Sequence, residues 1–275
     1  MSIVMIVVVI LLLMGLLAFS HRYAWWRPTV DWRQPRVLMY HMISPHRPKA
    51  KFNKLRVPPE QFAAQVQWLA EQGFHCVTME TLISQWDRLP PKTVAITVDD
   101  GYADNLHAML PILQQYNVPA TIYVVVDRHD RDWSVYKKSH HNSGELALET
   151  KLTDAEVQTL VASGLIEIGS HTLTHANLPR LEPADRAREL VESRLALQGL
   201  TGQPVDSFAY PFGLYGEADV AAARAAGYSN AVTTIEGIDS VNPRPDFLQL
   251  KRIKVSGKDT LYAFKCRMRT GQRGL

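Results

Sequence analysis

Two adjacent carboxylates, Asp99 and Asp100, stand directly after an apolar run at residues 94–98 and are followed by a glycine. Burying two neighbouring acids is costly unless a counter-charge or a metal ion offsets their charge. Side chains of adjacent residues on extended backbone point apart, so this pair does not flank one glycosidic bond as glycosidase carboxylates do. One aspartate could instead bind a metal while the other faces a metal-bound water. The alternative is an Asp-Gly turn that caps a helix beginning near Ala103.

A second candidate pair is His171 and His175, whose H-x-x-x-H spacing would bring both imidazoles to one face of a helical turn, as metal ligands require. Two surface histidines would explain the spacing alone equally well. Together with a carboxylate from another strand end, however, the pair makes a set of two histidines and one aspartate. Three protein ligands with an open coordination position are typical of a catalytic metal site, where bound water has a pKa lowered toward 7 and can attack a carbonyl.

Short apolar runs alternate with longer amphipathic segments from residue 35 onward, which predicts an α/β fold with a parallel sheet. An open doubly wound sheet and a closed barrel both agree with this pattern, and seven or eight repeated units favour a (β/α) barrel. The predicted strands are residues 36–40, 75–78, 93–98, 120–126, 165–169, 207–209, 230–233 and 250–255.

Four of the predicted strands end in polar or turn-forming residues, and together they predict one site. The strands are followed by His41, Asp99, Ser170 with His171, and Tyr210. Catalytic groups of a (β/α) barrel project from the C-terminal ends of several strands, which lie on one rim. A polar stretch at residues 127–150, with Trp133, His140 and His141, interrupts the rhythm and predicts an insertion loop near the mouth of the barrel, where loop histidines are more simply solvated than functional.

Three motifs, in this order along the chain, resemble the polysaccharide deacetylase (NodB-homology) family, carbohydrate esterase family 4. They are Thr97-Val98-Asp99-Asp100-Gly101, Ser170-His171-Thr172-Leu173-Thr174-His175 and Phe208-Ala209-Tyr210-Pro211-Phe212-Gly213. The similarity covers roughly residues 35–255. It implies a distorted (β/α) barrel and metal-dependent removal of N-acetyl groups from amino sugars.

The resemblance also implies roles for individual residues. Asp99 would be the general base, and one divalent metal ion, with Zn²⁺ as the first choice, would have three ligands. These ligands would be Asp100, His171 and His175. The loop of Tyr210, Pro211 and Phe212 would line the site, with the backbone N–H of Phe212 holding the developing oxyanion; a rigid Pro-Gly turn is the alternative for this loop.

Two departures from the family pattern require substitutes. Many members carry an arginine before the proline of the third motif, where this chain has Ala209 and Tyr210; Arg252, on a late strand, is the candidate to orient the base, with a surface salt bridge as the alternative. No histidine follows His175 to act as the general acid. Residues 37–43, however, resemble the subgroup that deacetylates poly-N-acetylglucosamine, which implies that His41 is the acid; a core histidine is the alternative.

The N-terminus predicts a transmembrane anchor at residues 3–20, which are uncharged and long enough to cross a bilayer. A cleavable signal peptide is the alternative, although no Lys or Arg precedes the apolar run. Trp25 and Trp26 suit a membrane interface. Positive charges after the helix favour a cytoplasmic domain, whereas the family implies a periplasmic or extracellular one at a bacterial inner membrane, so the orientation of this single-pass chain stays open.

Composition and charge restrict the partners. The chain has 275 residues, 46% hydrophobic and 21% charged, which argues against disorder and against a polytopic membrane protein. The formal net charge of +3 comes from a basic tail at residues 265–275. This tail is interpreted as a solvated end or as a contact for anionic lipid head groups. Because the rest of the chain is not basic, no nucleic-acid partner is expected. Between anchor and tail we expect a linker at 21–34 and one catalytic domain at 35–264. Two cysteines are too few for a disulfide framework.

The predicted function is therefore a metal-dependent hydrolase that removes N-acetyl groups from amino-sugar residues of an envelope glycan or exopolysaccharide. Two alternatives remain: a deacetylase of a lipid-linked sugar intermediate, and an inactive glycan-binding domain of the same fold. For the predicted hydrolase, the substrate is an N-acetylated amino-sugar glycan. The membrane is a second partner, through the N-terminal helix.

Overall fold

The structure is a computed structural model that describes residues 3–131 and 144–274; Trp133, His140 and His141 lie outside them. Within these ranges the helices are α1 (Ile3–Tyr23), α2 (Pro59–Glu71), α3 (Met79–Ser84), α4 (Leu110–Tyr116), α5 (Asp154–Ala162), α6 (Pro183–Thr201), α7 (Glu217–Ala225) and α8 (Leu261–Thr270). The strands are β1 (Arg36–Tyr40), β2 (His75–Val77), β3 (Thr93–Asp100), β4 (Ala120–Val124), β5 (Ile166–Ser170), β6 (Ser207–Ala209), β7 (Asn230–Glu236) and β8 (Leu250–Lys254).

Seven parallel strands close into a barrel, which confirms the predicted (β/α) barrel. β1 pairs with β3 on one side and with β8 on the other, so the ring runs β1-β3-β4-β5-β6-β7-β8 and back to β1. β2 pairs with the first residues of β3 and stands beside the ring. Because all strands are parallel, their C-terminal ends meet at one rim.

Alternation along β3 decides which side chains reach the interior. Val94, Ile96 and Val98 belong to the large apolar cluster shared with the outer helices, whereas Ala95 belongs to the smaller cluster inside the ring. Since successive side chains of a strand point to opposite faces, Asp99 lies on the inner side of the strand. Strand β3 therefore packs against the outer helices with one face and presents Asp99 to the barrel interior with the other.

Helix α1 is apolar enough to cross a membrane, with a mean hydropathy of 3.1, and none of its residues is buried. Its composition and its place at the N-terminus fit a signal sequence equally well. Two of its aromatic rings, Phe19 and Tyr23, contact Tyr262 at the start of α8. The helix therefore meets the barrel where β8 connects to α8.

The segment expected to be a linker is packed against the domain. The N–H of Val30 donates to the carbonyl of Arg269 (2.8 Å), and the ring of Trp32 contacts Phe74. Arg36, which is fully buried, donates to the carbonyl oxygens of Val30, Asp31 and Gln34 on this segment and to that of Met268. Any truncation made to remove α1 should therefore leave residues 24–35 in place.

The expected solvated tail is also different in the structure, because residues 265–270 belong to α8. The Thr260 hydroxyl accepts from the N–H of Ala263 at its start, and Gly271, with φ of 72°, ends it. Arg267 is buried and paired with Asp259, so its aliphatic stem packs while its charge is neutralised. The two cysteines, Cys76 and Cys266, are both free, as expected.

Candidate active site

Both aspartates of the first motif are the last residues of β3 and are buried, Asp99 at 3% and Asp100 at 4% exposure. The backbone turns at this point, because Asp100 and Gly101 have φ of 81° and 71°. A positive φ is unusual for a residue with a side chain, and such residues are enriched at functional sites. The turn separates the two carboxylates and brings each to different partners.

Arg252 forms a two-pronged ion pair with Asp99. Its Nη1 donates to Asp99 Oδ1 (2.7 Å) and its Nη2 donates to Asp99 Oδ2 (2.8 Å), a geometry that fixes the carboxylate in orientation as well as position. The guanidinium is itself held, since Nε donates to the carbonyl of Thr233 and Nη1 also donates to Thr97 Oγ1. Arg252 is 1% exposed and is not a surface salt bridge.

The charge state of Asp99 follows from this pair. Burial alone raises the pKa of a carboxyl group, but the charge and hydrogen bonds of Arg252 outweigh burial and hold the pKa of Asp99 below its usual value. Asp99 is therefore ionised at neutral pH and can accept a proton.

His41 stands directly after β1, with its Nε2 3.9 Å from Asp99 Oδ2 and its side chain 16% exposed. Its backbone carbonyl accepts a hydrogen bond from Nδ2 of Asn105 (3.0 Å). Asn105 begins a short π-helix, Asn105–Met109, and its side chain restrains the backbone at His41. An amide near a predicted helix start gave no signal of this role.

Asp100, His171 and His175 converge on the other side of the turn. The Nε2 atoms of both histidines lie 3.4 Å from Asp100 Oδ1, and each residue offers a ligand atom within 4.8 Å of the others. The predicted helical turn is wrong: residues 171–177 form a loop, with φ of 69° at Thr172 and 58° at His175. Left-handed backbone, rather than helical spacing, brings the imidazoles together.

These three residues fit a divalent metal ion. The carbonyl of Ala209 can only accept, so the hydrogen bond of 2.7 Å from His171 Nδ1 leaves the Nε2 of a neutral ring with a lone pair facing Asp100. Burial lowers the pKa of His175 to about 4, so the His175 ring is neutral at pH 7. Ligands about 2.1 Å from a tetrahedral ion stand about 3.4 Å apart, which is the distance from Asp100 Oδ1 to each histidine Nε2.

A buried glutamate on α6 positions the histidine loop. Glu189, at 4% exposure, accepts hydrogen bonds from the N–H groups of Leu173 and Thr174 (both 2.9 Å) and from the Thr174 hydroxyl (2.7 Å). Sequence reasoning missed this residue. A single acid on the buried face of a helix was the available signal, but its partners could not be read from the sequence.

The third motif forms a tight 3₁₀ turn, Pro211–Gly213, in which Phe212 has φ of 60° and Gly213 φ of 67°. A Cβ at Gly213 would collide with Thr234, so only glycine fits. The Phe212 ring contacts His175 with centroids 4.4 Å apart. The Tyr210 ring, expected to line the site, is fully buried in the apolar cluster outside the barrel and stacks on Tyr215 at 4.6 Å.

Comparison with known proteins agrees with this architecture. The polysaccharide deacetylase family profile matches residues 87–231, more than half of the chain. YxkH of Bacillus subtilis (strain 168), a protein named for the same family, is 32% identical over 80% of this chain and 71% of its own length. The poly-beta-1,6-N-acetyl-D-glucosamine N-deacetylase of Staphylococcus aureus (strain MSSA476) is 23% identical over 73% of this chain and 68% of its own.

A solved structure gives the same result. The crystal structure of BC0361, a polysaccharide deacetylase from Bacillus cereus, superposes with a TM-score of 0.73 and 28% identity, covering 86% of this chain and 69% of that one. The segment matched by the family profile contains both aspartates and both histidines. The chain therefore belongs to the polysaccharide deacetylase family and is a hydrolase of the deacetylase type.

Proposed function

We propose that this protein is a metal-dependent enzyme that removes N-acetyl groups from amino-sugar residues of an envelope glycan or exopolysaccharide. One observation carries the proposal: an ionised Asp99, held by Arg252, lies beside a three-residue donor set that fits a divalent ion. A base and a metal site at one barrel rim can together activate water for the hydrolysis of an unreactive amide.

Asp100, His171 and His175 are the proposed ligands, with Zn²⁺ as the preferred ion. When bound, the metal would polarise the acetyl carbonyl and lower the pKa of the attacking water, so that a carboxylate of depressed pKa suffices as the base. Asp99 accepts the water proton. Arg252 keeps both carboxylate oxygens in place during the transfer, and the backbone N–H of Phe212 is the proposed donor to the developing oxyanion.

His41 is the proposed general acid. The C–N bond of the acetamide breaks, the carbonyl carbon keeps the water oxygen and leaves as acetate, and the sugar nitrogen needs one proton to leave as an amine. With its ring partly exposed and 3.9 Å from Asp99, His41 is suited to face a substrate in the mouth. The hydrogen bond from Asn105 to its carbonyl restrains its backbone.

The substrate class rests on two features. The Staphylococcus aureus relative is named for poly-beta-1,6-N-acetyl-D-glucosamine, and residues 37–43 of this chain resemble that subgroup. Helix α1, proposed to anchor the chain in the bacterial inner membrane, would keep the enzyme close to glycans that are made at or cross the membrane. An N-acetylglucosamine polymer facing the periplasm or exterior is the proposed substrate.

The test is acetate release from N-acetylglucosamine oligomers by the detergent-solubilised full chain, with zinc added or with a chelator. We expect acetate release that the chelator abolishes and zinc restores. His41→Ala is expected to lower the rate by about 10²-fold or more, because protonation of the leaving amine is lost.

His75→Ala is the matched control, since His75 is exposed at the opposite end of the barrel, at the start of β2, and should leave the rate unchanged. Acetate release that is insensitive to the chelator would contradict the metal dependence. A rate unaffected by His41→Ala would remove His41 as the acid. Activity only on lipid-linked acetylated sugars would replace the polymer by the lipid-linked intermediate.

A further inference from the structure

A cavity of about 210 Å³ lies where the end of α1, the β8–α8 connection and the C-terminal residues meet. It is outside the candidate active site and shares no residue with it. The described residues of its wall include five cationic side chains and one carboxylate: Arg22, Lys54, Lys258, Arg267, Arg273 and Asp259. A wall so unbalanced in charge favours an anion.

Within the described part of the chain, most of this positive charge has no carboxylate partner. Asp259 is paired with Arg267, and Nε of Arg273 lies 3.9 Å from a carboxylate oxygen of Glu236. Among the described residues, no carboxylate lies within 4.0 Å of the charged ends of Arg22, Lys54 and Lys258. Holding several unpaired cations close together costs free energy through mutual repulsion, and a bound anion would remove that cost.

The cavity lies at the membrane end of the chain and at the catalytic rim at once. Arg22 and Tyr23 end α1, where a spanning helix would leave the bilayer. Gly257, which lies in the chain between the lining residues Ser256 and Lys258, packs so closely on the carbonyl oxygens of Asn53 and Arg56 that a Cβ could not fit. This contact joins the cavity to the loop that follows His41.

Resting on the proposed membrane anchor, we propose that this cavity binds the phosphate group of an anionic phospholipid and thereby holds the catalytic rim next to the headgroup layer. The chemistry recognised is a phosphate anion; its place beside the end of α1 assigns the source to a lipid. Lys54 and Lys258 are the adjustable contacts, because they are exposed and lie on the loops that reach the cavity from the barrel rim. Docking there would present the site to glycan leaving the membrane.

The test uses the delipidated full chain in a neutral detergent, titrated with short-chain phosphatidylglycerol, short-chain phosphatidylcholine and inorganic phosphate, with binding followed by native mass spectrometry. We expect phosphatidylglycerol to bind most tightly. The double variant Lys54→Gln/Lys258→Gln should bind it roughly 30-fold more weakly, from about 1 kcal/mol for each basic residue at an anionic surface.

The matched control is Arg88→Gln/Arg188→Gln, which removes the same charge from exposed positions on other elements and should bind like the unaltered protein. Equal weakening in both double variants would overturn the site in favour of diffuse charge. Equal binding of phosphatidylcholine would overturn the proposal that the lipid is anionic, and binding of inorganic phosphate without phosphatidylglycerol would overturn the assignment to a lipid. Acetate release from soluble oligomers by Lys54→Gln/Lys258→Gln should be unchanged, so failure of lipid binding is distinguishable from failure of the proposed activity.

Discussion

The two ends of the barrel, the mouth at the C-terminal ends of the strands and the floor at their N-terminal ends, each enclose an acidic side chain, but the partners of the two acids differ in charge. At the mouth, Asp99 is buried beside a guanidinium, and the cation holds the pKa of the acid below its usual value. At the floor, Glu167 on β5 is enclosed among neutral donors, the hydroxyls of Thr121 and Ser207 and the N–H of Glu80, and burial raises its pKa. A buried acid without a cation tends to take up a proton, whereas one with a cation stays charged and reactive.

The charge of the partner, more than burial, decides which acid in this barrel stays ionised and reactive. Both acids face the interior and both are hydrogen-bonded, so burial and satisfied hydrogen bonds alone do not mark a reactive group. The difference is the charge of the partner. Asp99 has the guanidinium of Arg252, whereas Glu167 has no cation among its hydrogen-bond partners in the described structure.

The largest expected effect is on activity at the mouth. Asp99→Asn should lower the rate of acetate release by about 10²–10⁴-fold, because an amide cannot accept the water proton. Glu167→Gln is the matched change at the floor and should leave the rate within about twofold of the unaltered protein. A steady-state acetate assay on both variants checks this, and comparable losses in the two would erase the distinction between mouth and floor.

The next effect concerns the ion pair itself. Arg252→Met should destabilise the protein by about 3–5 kcal/mol, because Asp99 would be left as a buried charge without its partner. Arg252→Lys keeps the charge but not the two-pronged geometry, and should recover much of the stability with less of the activity. Denaturant unfolding with parallel rate measurements checks both. If Arg252→Lys matched the unaltered protein in rate, orientation of Asp99 by two hydrogen bonds would not matter.

A smaller effect is expected from the support of the histidine loop. Glu189→Gln should weaken zinc affinity by roughly tenfold or more, as loss of a group that orients metal ligands usually does. Glu192→Gln, an exposed change on the same helix, is the control. Competition with a coloured zinc chelator measures both affinities. An unchanged affinity in Glu189→Gln would mean that the positive-φ backbone holds the histidines without this anchor.

The smallest effect is on the pH dependence of stability. The pKa of Glu167 in the folded protein is above its ordinary value of 4.5, so its contribution to stability is full below pH 4.5 and is lost as the pH rises through the folded-state pKa. Glu167→Gln should remove this dependence and change stability at neutral pH by about 1 kcal/mol or less. Unfolding curves between pH 4 and pH 8, taken as a difference between the two proteins, test the sign. A difference that does not vary with pH would contradict the raised pKa.

The barrel and the location of the site could be predicted from the sequence because both depend on local patterns. Apolar runs of strand length and the polar residues after them place His41, Asp99, His171 and Tyr210 on one rim. Arg252 could be named as the substitute arginine because the motif position that many relatives use is occupied by Ala209 and Tyr210. Its two hydrogen bonds to Asp99, in contrast, are seen only in the structure.

The features that could not be predicted from the sequence depend on tertiary contacts or on rare backbone conformations. Helix α8 was missed because its cations conceal a buried face, although Thr260 and Gly271 mark its two ends. The histidine loop was mistaken for a helical turn because nothing in the spacing reveals positive φ at Thr172 and His175. Glu189 and Asn105 act on residues far along the chain, and no local pattern pairs them.

The central claim is that the adjacent aspartates divide the work, Asp100 holding the metal and Asp99 moving the proton. Zinc content by mass spectrometry and acetate release, measured on the same preparations of Asp99→Asn and Asp100→Asn, test it most directly. We predict that Asp99→Asn keeps its zinc and loses acetate release, while Asp100→Asn loses both. Loss of zinc in Asp99→Asn, or an Asp100→Asn protein that still binds zinc and releases acetate, would contradict the account.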